Sequence, residues 1–466
     1  MKLLMKFGGT SVADAQRIGQ VVDILEQHHK AGDELAVVVS AQRGVTDQLI
    51  EVATALPTAK DNSAIASLIQ SLSKRHIATL EGAAPDHVAE VGAAMEENLI
   101  RLENILNAIY NLRELTPRSK DYIISFGERL LAPILSAAIR QRGISSSVMD
   151  GCEAGILTTP QHGESTALPE SDERIKRRIG PLLGKEIPVI TGFMGCTREG
   201  ILTTLGRSGS DYSASIIGAG IDADEIWIWT DVDGIMTCDP RVINDARVML
   251  SLSYLEVMEL SYFGAKVMHP RSIEPAMRKG ILVRVKNTFN PSHPGTVIVR
   301  TGKRDHRVVK ALTYIEKVAA INICGAQMIG RPGVAKSIFS ILADNEVNVM
   351  MISQGSSEAN ISLIVDETHV SAAVKALSEL AKEGIVRQVS HNHDVCAVAV
   401  VGAGMAGAPG TGGRIFTALG KAGVNVMMIS QGSSEANISF VVSQSDGPRA
   451  CRVLHDEFQL SEASDE

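Results

Sequence analysis

The chain has no basic run or basic stripe, although it carries 45 lysines and arginines in 466 residues. Aspartate and glutamate number 53, so the formal net charge is −8, and a nucleic-acid partner is not expected. No stretch of about 18 apolar residues occurs, so no segment is expected to span a membrane. The opening MKLLMKFGGTSV has too short an apolar run for a signal peptide, and Lys6 interrupts it. Cysteine is scarce. Cys152, Cys196, Cys238, Cys324, Cys396 and Cys451 never come as Cys-x-x-Cys, which removes the usual zinc and dithiol motifs. They read as reduced thiols in a reducing, cytoplasmic compartment.

What is present is ordinary globular composition, 45% hydrophobic and 21% charged, at a length that suits two to four domains. Short apolar runs at Leu3–Phe7, Leu35–Ser40, Ile187–Phe193, Glu225–Asp231 and Ile281–Lys286 are bounded by turn residues or charges and fit buried strands. Helical stretches lie between them. The clearest runs from Ser119, as N-cap, to Arg142, with Gly143 as its stop. Leu56–Leu115 reads as a mostly helical insertion. The pattern predicts an α/β domain over residues 1–305, a largely parallel central sheet between helices. The mixed stretch PSHPGTVIVRTGKRDHR sets its boundary near residue 305.

The remainder is a repeat. VNVMMISQGSSEANIS occurs at Val347–Ser362 and again at Val424–Ser439, an offset of 77 residues. At the same offset Gly325 matches Gly402, and Pro332-Gly333 matches Pro409-Gly410. Each copy reads βαββα, a ferredoxin-like unit short of its last strand. Residues 317–390 find that strand in Ile385–Val389. Residues 391–466 have a last helix near Pro448–Phe458 and then only SEASDE. The unused strand 308–316 is therefore expected to cross over and complete the second copy, so the two units interleave.

Gly402-x-Gly404-x-x-Gly407 matches the dinucleotide-binding pattern. Its sister copy has Gln327 where the second glycine belongs, the one that admits a pyrophosphate. A tight turn facing a small ligand is the better reading. Chemistry is expected elsewhere. KFGGTSV ends the first strand and opens a helix. Gly8 and Gly9 let amides face an anion, with Lys6 beside them, which makes either a phosphate cradle or a plain tight turn. TLGRSGSDYSA enters a second helix. Ser210 or Asp211 is either its N-cap or, with Arg207 as a carboxylate clamp, part of a substrate site. Thr230, Asp231 and Asp233 of WTDVDGIMTCDPR stand where open α/β sheets bind ligands. A lone Glu128 on a helix is ordinarily solvated, and Lys266 and His269 of FGAKVMHP end a helix. His391-x-His393 is a surface pair without a metal-binding set around it.

KFGGTSV, GRSGSD, TDVDGI…DPR and FGAKVMHP, in this order, resemble the aspartate kinases of the amino-acid kinase family, and the resemblance covers the whole chain. It identifies the two repeats as tandem ACT domains, the first inserted into the second. It implies ATP-dependent phosphorylation of the L-aspartate side-chain carboxylate to 4-phospho-L-aspartate, the entry to lysine, threonine and methionine biosynthesis. Lys6 and Asp211 then carry the transfer centre. Thr46, Glu128 and Arg207 bind aspartate, Arg207 on the α-carboxylate and Glu128 near the ammonium. Gly8, Gly9, Thr10, Ser11, Ser40, Gly209, Ser210, Thr230, Asp231, Arg241 and Lys266 serve the nucleotide. Mg²⁺ rides on the ATP phosphates, with no metal site in the protein.

In the repeats, Asn348, Ser353, Gln354 and Asn360, with their copies Asn425, Ser430, Gln431 and Asn437, offer uncharged polar groups to a zwitterionic effector, lysine or threonine first. The family implies a homodimer or a dimer of dimers through the ACT domains. The chain departs from the family at Gln42 (Met is common), Asp47 (Asn), Ser208 (Gly), Met236 (Tyr) and Cys238 (Thr), the last two touching adenine packing. Competing readings are a kinase of glutamate, carbamate or a nucleotide, and a non-catalytic sensor. Arg207 with Glu128 favours an amino-acid substrate, and intact Lys6, Arg207 and Asp211 argue against the sensor. A fused homoserine dehydrogenase is not expected, since the ACT pair ends the chain.

Overall fold

The computed structural model describes residues 1–264, 268–300, 307–355 and 359–462. The chain forms two compact units. The first comprises Met1–Ile235, Leu250–Tyr254 and Met268–Thr301, and the second Met236–Met249, Leu255–Val267 and Gly302–Glu466. The boundary expected near residue 305 lies outside the described residues.

The first unit is built on strands β1 (Lys2–Phe7), β2 (Glu34–Val39), β3 (Ser146–Met149), β4 (Ile187–Thr191), β7 (Glu225–Thr230), β8 (Ser251–Ser253), β9 (Leu282–Asn287) and β10 (Thr296–Val299). They form one sheet in the order β3-β4-β2-β1-β7-β9-β10-β8. From β3 to β9 the neighbours are parallel, and β10 turns antiparallel to β9. A separate hairpin pairs β5 (Met194–Cys196) with β6 (Leu202–Thr204).

Burial on both faces explains the nearly unbroken apolar runs. Leu3, Met5 and Phe7 point into a core shared with the helices Ala15–Lys30, Ser63–Ala83, Val88–Leu112 and Phe126–Gln141. Leu4 points the other way and touches the helix Gly209–Gly220 at Gly218. Lys6 follows Leu4 by two residues, so it shares that face. β1 lies between β2 and β7, where the strand order reverses and ligands of open α/β sheets bind.

The helix expected at Ser119–Arg142 is two helices, Pro117–Ile124 and Phe126–Gln141. The cap is Thr116, not Ser119, because Pro117 suits the first helical position and the Thr116 side chain takes the Ser119 N–H at 3.1 Å. At the break, the Ser125 hydroxyl donates to Tyr122 O at 2.7 Å and competes with the helical ladder. By length and composition Pro117–Gln141 is apolar enough to cross a membrane, contrary to expectation. Yet 83% of its most apolar window is buried inside the protein, as in a core helix.

The second unit holds two four-stranded sheets. One is β13 (Val349–Gln354), β14 (Asn360–Asp366), β12 (Val318–Cys324) and β15 (Gln388–Asn392). The other is β11 (Ala311–Ile315), β16 (Cys396–Val401), β18 (Asn437–Val442) and β17 (Met428–Gln431). β11 precedes the first repeat yet runs antiparallel to β16 of the second, so the repeats interleave. β15 begins later than Ile385 because Ile385 and Val386 still close the preceding helix through Leu380 O.

The turn Gly402–Gly407 has no room for a dinucleotide's backbone approach, because the chain itself makes that approach. A Cβ at Gly402 would lie 2.4 Å from Val308 O, and one at Gly404 2.8 Å from Arg307 O. Gly402→Ala must push this crossover segment away from β16. It is expected to destabilise the protein by about 1–3 kcal/mol in chemical denaturation, whereas Gly413→Ala, where an added Cβ meets nothing within 4 Å, is expected to change little.

Candidate active site

β1 delivers Lys6, Gly8 and Gly9 to the C-terminal edge of the sheet. The Gly8 N–H donates to Trp229 O on β7, and the Ser40 N–H to Phe7 O, which ties three strand ends together. A Cβ at Gly9 would lie 2.8 Å from Ala41 O, so glycine is what lets the loops after β1 and β2 touch. The helix expected to open at this loop begins only at Ala15, capped by Asp14. Thr10 and Ser11 form a turn instead, with Ser11 buried and its Oγ 2.7 Å from Thr288 Oγ1.

The helix behind the site is Gly209–Gly220. Neither Ser210 nor Asp211 caps it. The N-cap is Ser208, held left-handed at φ 55 with no side-chain cap bond. Asp211 therefore sits in the first turn, where a carboxylate is favoured, with Oδ1 2.5 Å from Lys6 Nζ. Arg207 precedes this turn and is exposed.

Glu128 is not solvated. It is 3% exposed, because Gly127 lets its helix close on the β2 loop, where a Cβ would meet Ala41 Cβ at 2.6 Å. The Ala41 N–H donates to Glu128 Oε1 at 3.0 Å, and Oε2 has no hydrogen-bond partner among the described residues. Burial raises its pKa to about 8, against the opposing pull of the Ala41 hydrogen bond and of Lys6. Gln42 is buried too, its amide donating to Thr79 Oγ1 at 3.0 Å on the helix Ser63–Ala83.

One cavity of about 1040 Å³ brings together Lys6, Gly9, Ser40, Thr46, Glu128, Arg207 and the Gly209–Asp211 turn. Gly8, Thr10, Ser11, Thr230 and Asp231 are outside its lining. The lining also includes Asp121 and His162, which had drawn no attention in the sequence. Asp121 is 1% exposed and holds His162 Nδ1 at 2.7 Å. Asp121 precedes Glu128 by seven residues, two helical turns, and that spacing is the signal that could have found it. His162 carries no such signal.

Residues 1–287 match the family model of the amino acid kinase family, and residues 321–380 and 398–458 match an ACT domain model. The chain belongs to the amino acid kinase family. A bifunctional aspartokinase/homoserine dehydrogenase 2 of Arabidopsis thaliana is 36% identical over 98% of this chain and 50% of its own length. The chain thus spans about half the length of the bifunctional relatives it matches. Aspartokinase 1 of Arabidopsis thaliana is 32% identical, over 98% of this chain and 80% of its own. Among solved structures, E. coli aspartokinase III in complex with aspartate and ADP superposes with a TM-score of 0.83. It is 26% identical, and 98% of this chain and 99% of that one are covered.

In this amino acid kinase the other expected residues are dispersed. Arg241 belongs to the second unit, paired with Asp239, and Lys266 lies outside the described residues. Cys238 is 3% exposed in the core of the second ACT sheet, with Leu312 and Cys451. His269 caps the helix Pro270–Lys279 by accepting the Arg271 N–H.

The identical repeats are not in identical surroundings. In the second, Glu259 accepts from the Asn437 amide at 3.0 Å, and Glu256 accepts the Ala403 N–H at 2.8 Å. Asn348 and Gln354 of the first are exposed, as are their copies Asn425 and Gln431, but Asn360 is exposed where Asn437 is not.

Two outcomes follow from this geometry. A non-glycine residue held left-handed costs about 1 kcal/mol. Ser208→Gly is therefore expected to raise stability by about that amount in denaturant titration. Glu128 keeps its proton in the folded chain up to about pH 8, while in the unfolded chain it ionises near pH 4.3. Its contribution is present below that lower value and is lost as pH rises through the folded pKa. Glu128→Gln, which cannot ionise, should gain on the wild type by roughly 1.4 kcal/mol per pH unit between those limits. Stability measured at pH 5 and pH 8 checks the sign.

Proposed function

We propose that this chain is an aspartate kinase, transferring the terminal phosphoryl group of ATP to the side-chain carboxylate of L-aspartate to form 4-phospho-L-aspartate. The observation that carries the reading is one cavity holding the Lys6–Asp211 pair, Glu128 and Arg207. Arg207 suits the α-carboxylate of an amino acid, Glu128 once ionised suits its ammonium, and Thr46 lines the same cavity as a neutral donor. The relatives point the same way, E. coli aspartokinase III having been solved with aspartate and ADP.

A carboxylate is already a nucleophile, so no general base is needed, and positioning with charge neutralisation carries the transfer. Lys6 answers the charge that builds on the transferring group, the glycine loop Gly8–Gly9 supplies amides, and Asp211 holds Lys6 in place. We assign Mg²⁺ to the nucleotide, where it neutralises phosphate charge. The remaining nucleotide residues, Thr230, Asp231, Arg241 and Lys266, are assigned on the family's pattern. So are Thr10, Ser11, Ser40, Gly209 and Ser210.

The product enters lysine, threonine and methionine synthesis, and we assign an amino-acid effector, lysine or threonine, to the ACT pair. The first copy, with Asn348, Ser353, Gln354 and Asn360, is the better site, because the chain's own Glu256 and Glu259 already engage the second. Ile352 and Ile429, exposed at matching positions of the repeats, suit pairing of two chains through these sheets. The six free cysteines suit a cytoplasmic setting.

Acyl phosphate trapped with hydroxylamine, from ATP, Mg²⁺ and L-aspartate, tests the activity. Aspartate-dependent hydroxamate is expected, and Lys6→Ala should reduce it about 10²–10³-fold without loss of fold. A folded, ATP-binding wild type that forms none would overturn the reading.

A further inference from the structure

We propose that His162 is a substrate-binding residue, its Nε2 donating to the α-carboxylate of the amino-acid substrate beside Arg207, and that Asp121 is its positioning residue. The proposal rests on the reading of the cavity as an aspartate site and adds a second α-carboxylate partner to Arg207.

Asp121 is buried and accepts from four donors. These are His162 Nδ1 at 2.7 Å, Gly163 N at 3.1 Å, Thr204 N at 3.2 Å and Thr204 Oγ1 at 2.5 Å. The two backbone amides can only donate, so both Asp121 oxygens accept. The His162 ring must then carry its proton on Nδ1, which leaves Nε2 as the atom open to other partners. His162, Asp121 and Arg207 all line the same cavity.

The loop that carries His162 is seated on the loop that carries Arg207. Ser165 donates to Thr204 O through both its N–H and its hydroxyl, at 3.0 and 2.9 Å. Gly163 O lies 2.9 Å from the Cβ position of Gly206, the residue before Arg207. Arg271 braces the far side, donating to Ser165 O at 3.1 Å and to Thr166 Oγ1 at 2.9 Å. A doubly protonated ring held in this way donates from both nitrogens, Nδ1 to Asp121 and Nε2 to an arriving carboxylate. A histidine serving only to brace the fold would make the bond to Asp121 and do nothing to ligand affinity.

The test compares L-aspartate with L-aspartic acid α-methyl ester, which lacks the α-carboxylate charge. Dissociation constants of both are measured calorimetrically on full-length wild type and His162→Gln, with kcat and KM for ATP alongside. The variant should bind aspartate about tenfold or more weakly and the ester within twofold of wild type. KM for ATP should not change, and kcat should hold within about threefold. Equal weakening of aspartate and ester, or no weakening of either, overturns the proposal. Should His162→Gln not fold, His162→Asn is read in the same way. A folded, ATP-binding wild type that binds no aspartate overturns the parent reading and this one together, and is told apart by needing no variant.

Discussion

A lysine on the central strand of a sheet buried on both faces must find an anion. β1 is flanked by β2 and β7, and the even-numbered side of β1 faces the helix Gly209–Gly220. Lys6 therefore has one direction to go, and Asp211 in the first turn of that helix meets it at 2.5 Å. The pair needs a helix that starts early enough to place a carboxylate there. That start is what the left-handed Ser208 provides. The loops after β1, β2 and β7 then converge because glycine at position 9 admits Ala41 O. Gly127 in turn lets the Glu128 helix close on the same loop. The proposed phosphoryl transfer to a carboxylate would need charges held in register more than acid or base chemistry, and this edge of the sheet holds such charges.

The second unit shows how one sequence can end in two states. Its repeats share sixteen consecutive residues, Val347–Ser362 and Val424–Ser439. Their folds match, and each sheet is finished by a strand from outside the βαββα run. The difference comes from elsewhere in the chain. Leu255–Tyr262 brings Glu256 and Glu259 to the second copy, and Thr237 O accepts from Leu312 N on the edge strand β11. A pair of carboxylates thus separates a repeat in which Asn437 is engaged from one in which its counterpart Asn360 is exposed.

Much of this was legible in residues. Unbroken apolar runs marked β1, β2, β4 and β7, because strands covered on both faces have no polar side to show. The repeat and the spare strand before it implied interleaving, because a finished sheet is more stable than one with an open edge. The glycine loops and the order of the motifs named the family. What misled was local. Ser119, Ser210 and Asp211 are good caps by type, yet Thr116 and Ser208 hold those positions, because capping depends on where the chain enters the helix. Gly402-x-Gly404-x-x-Gly407 is good nucleotide sequence, yet its glycines accommodate the chain's own residues 307 and 308.

The sequence by itself determined the strand–helix alternation, the duplication and the order of the glycine-rich motifs, since these follow from periodicity and from side chains at fixed spacing. Tertiary structure alone decided what those side chains are. Glu128 became a buried, proton-retaining carboxyl because Gly127 admits Ala41. Asp121 and His162, 41 residues apart, became partners because the loop after Thr159 folds back over β6. Cys238 became core rather than site because residues 236–249 pack in the second unit. Burial and pairing across long sequence separations set charge, pKa and access, and neither can be computed from neighbours along the chain.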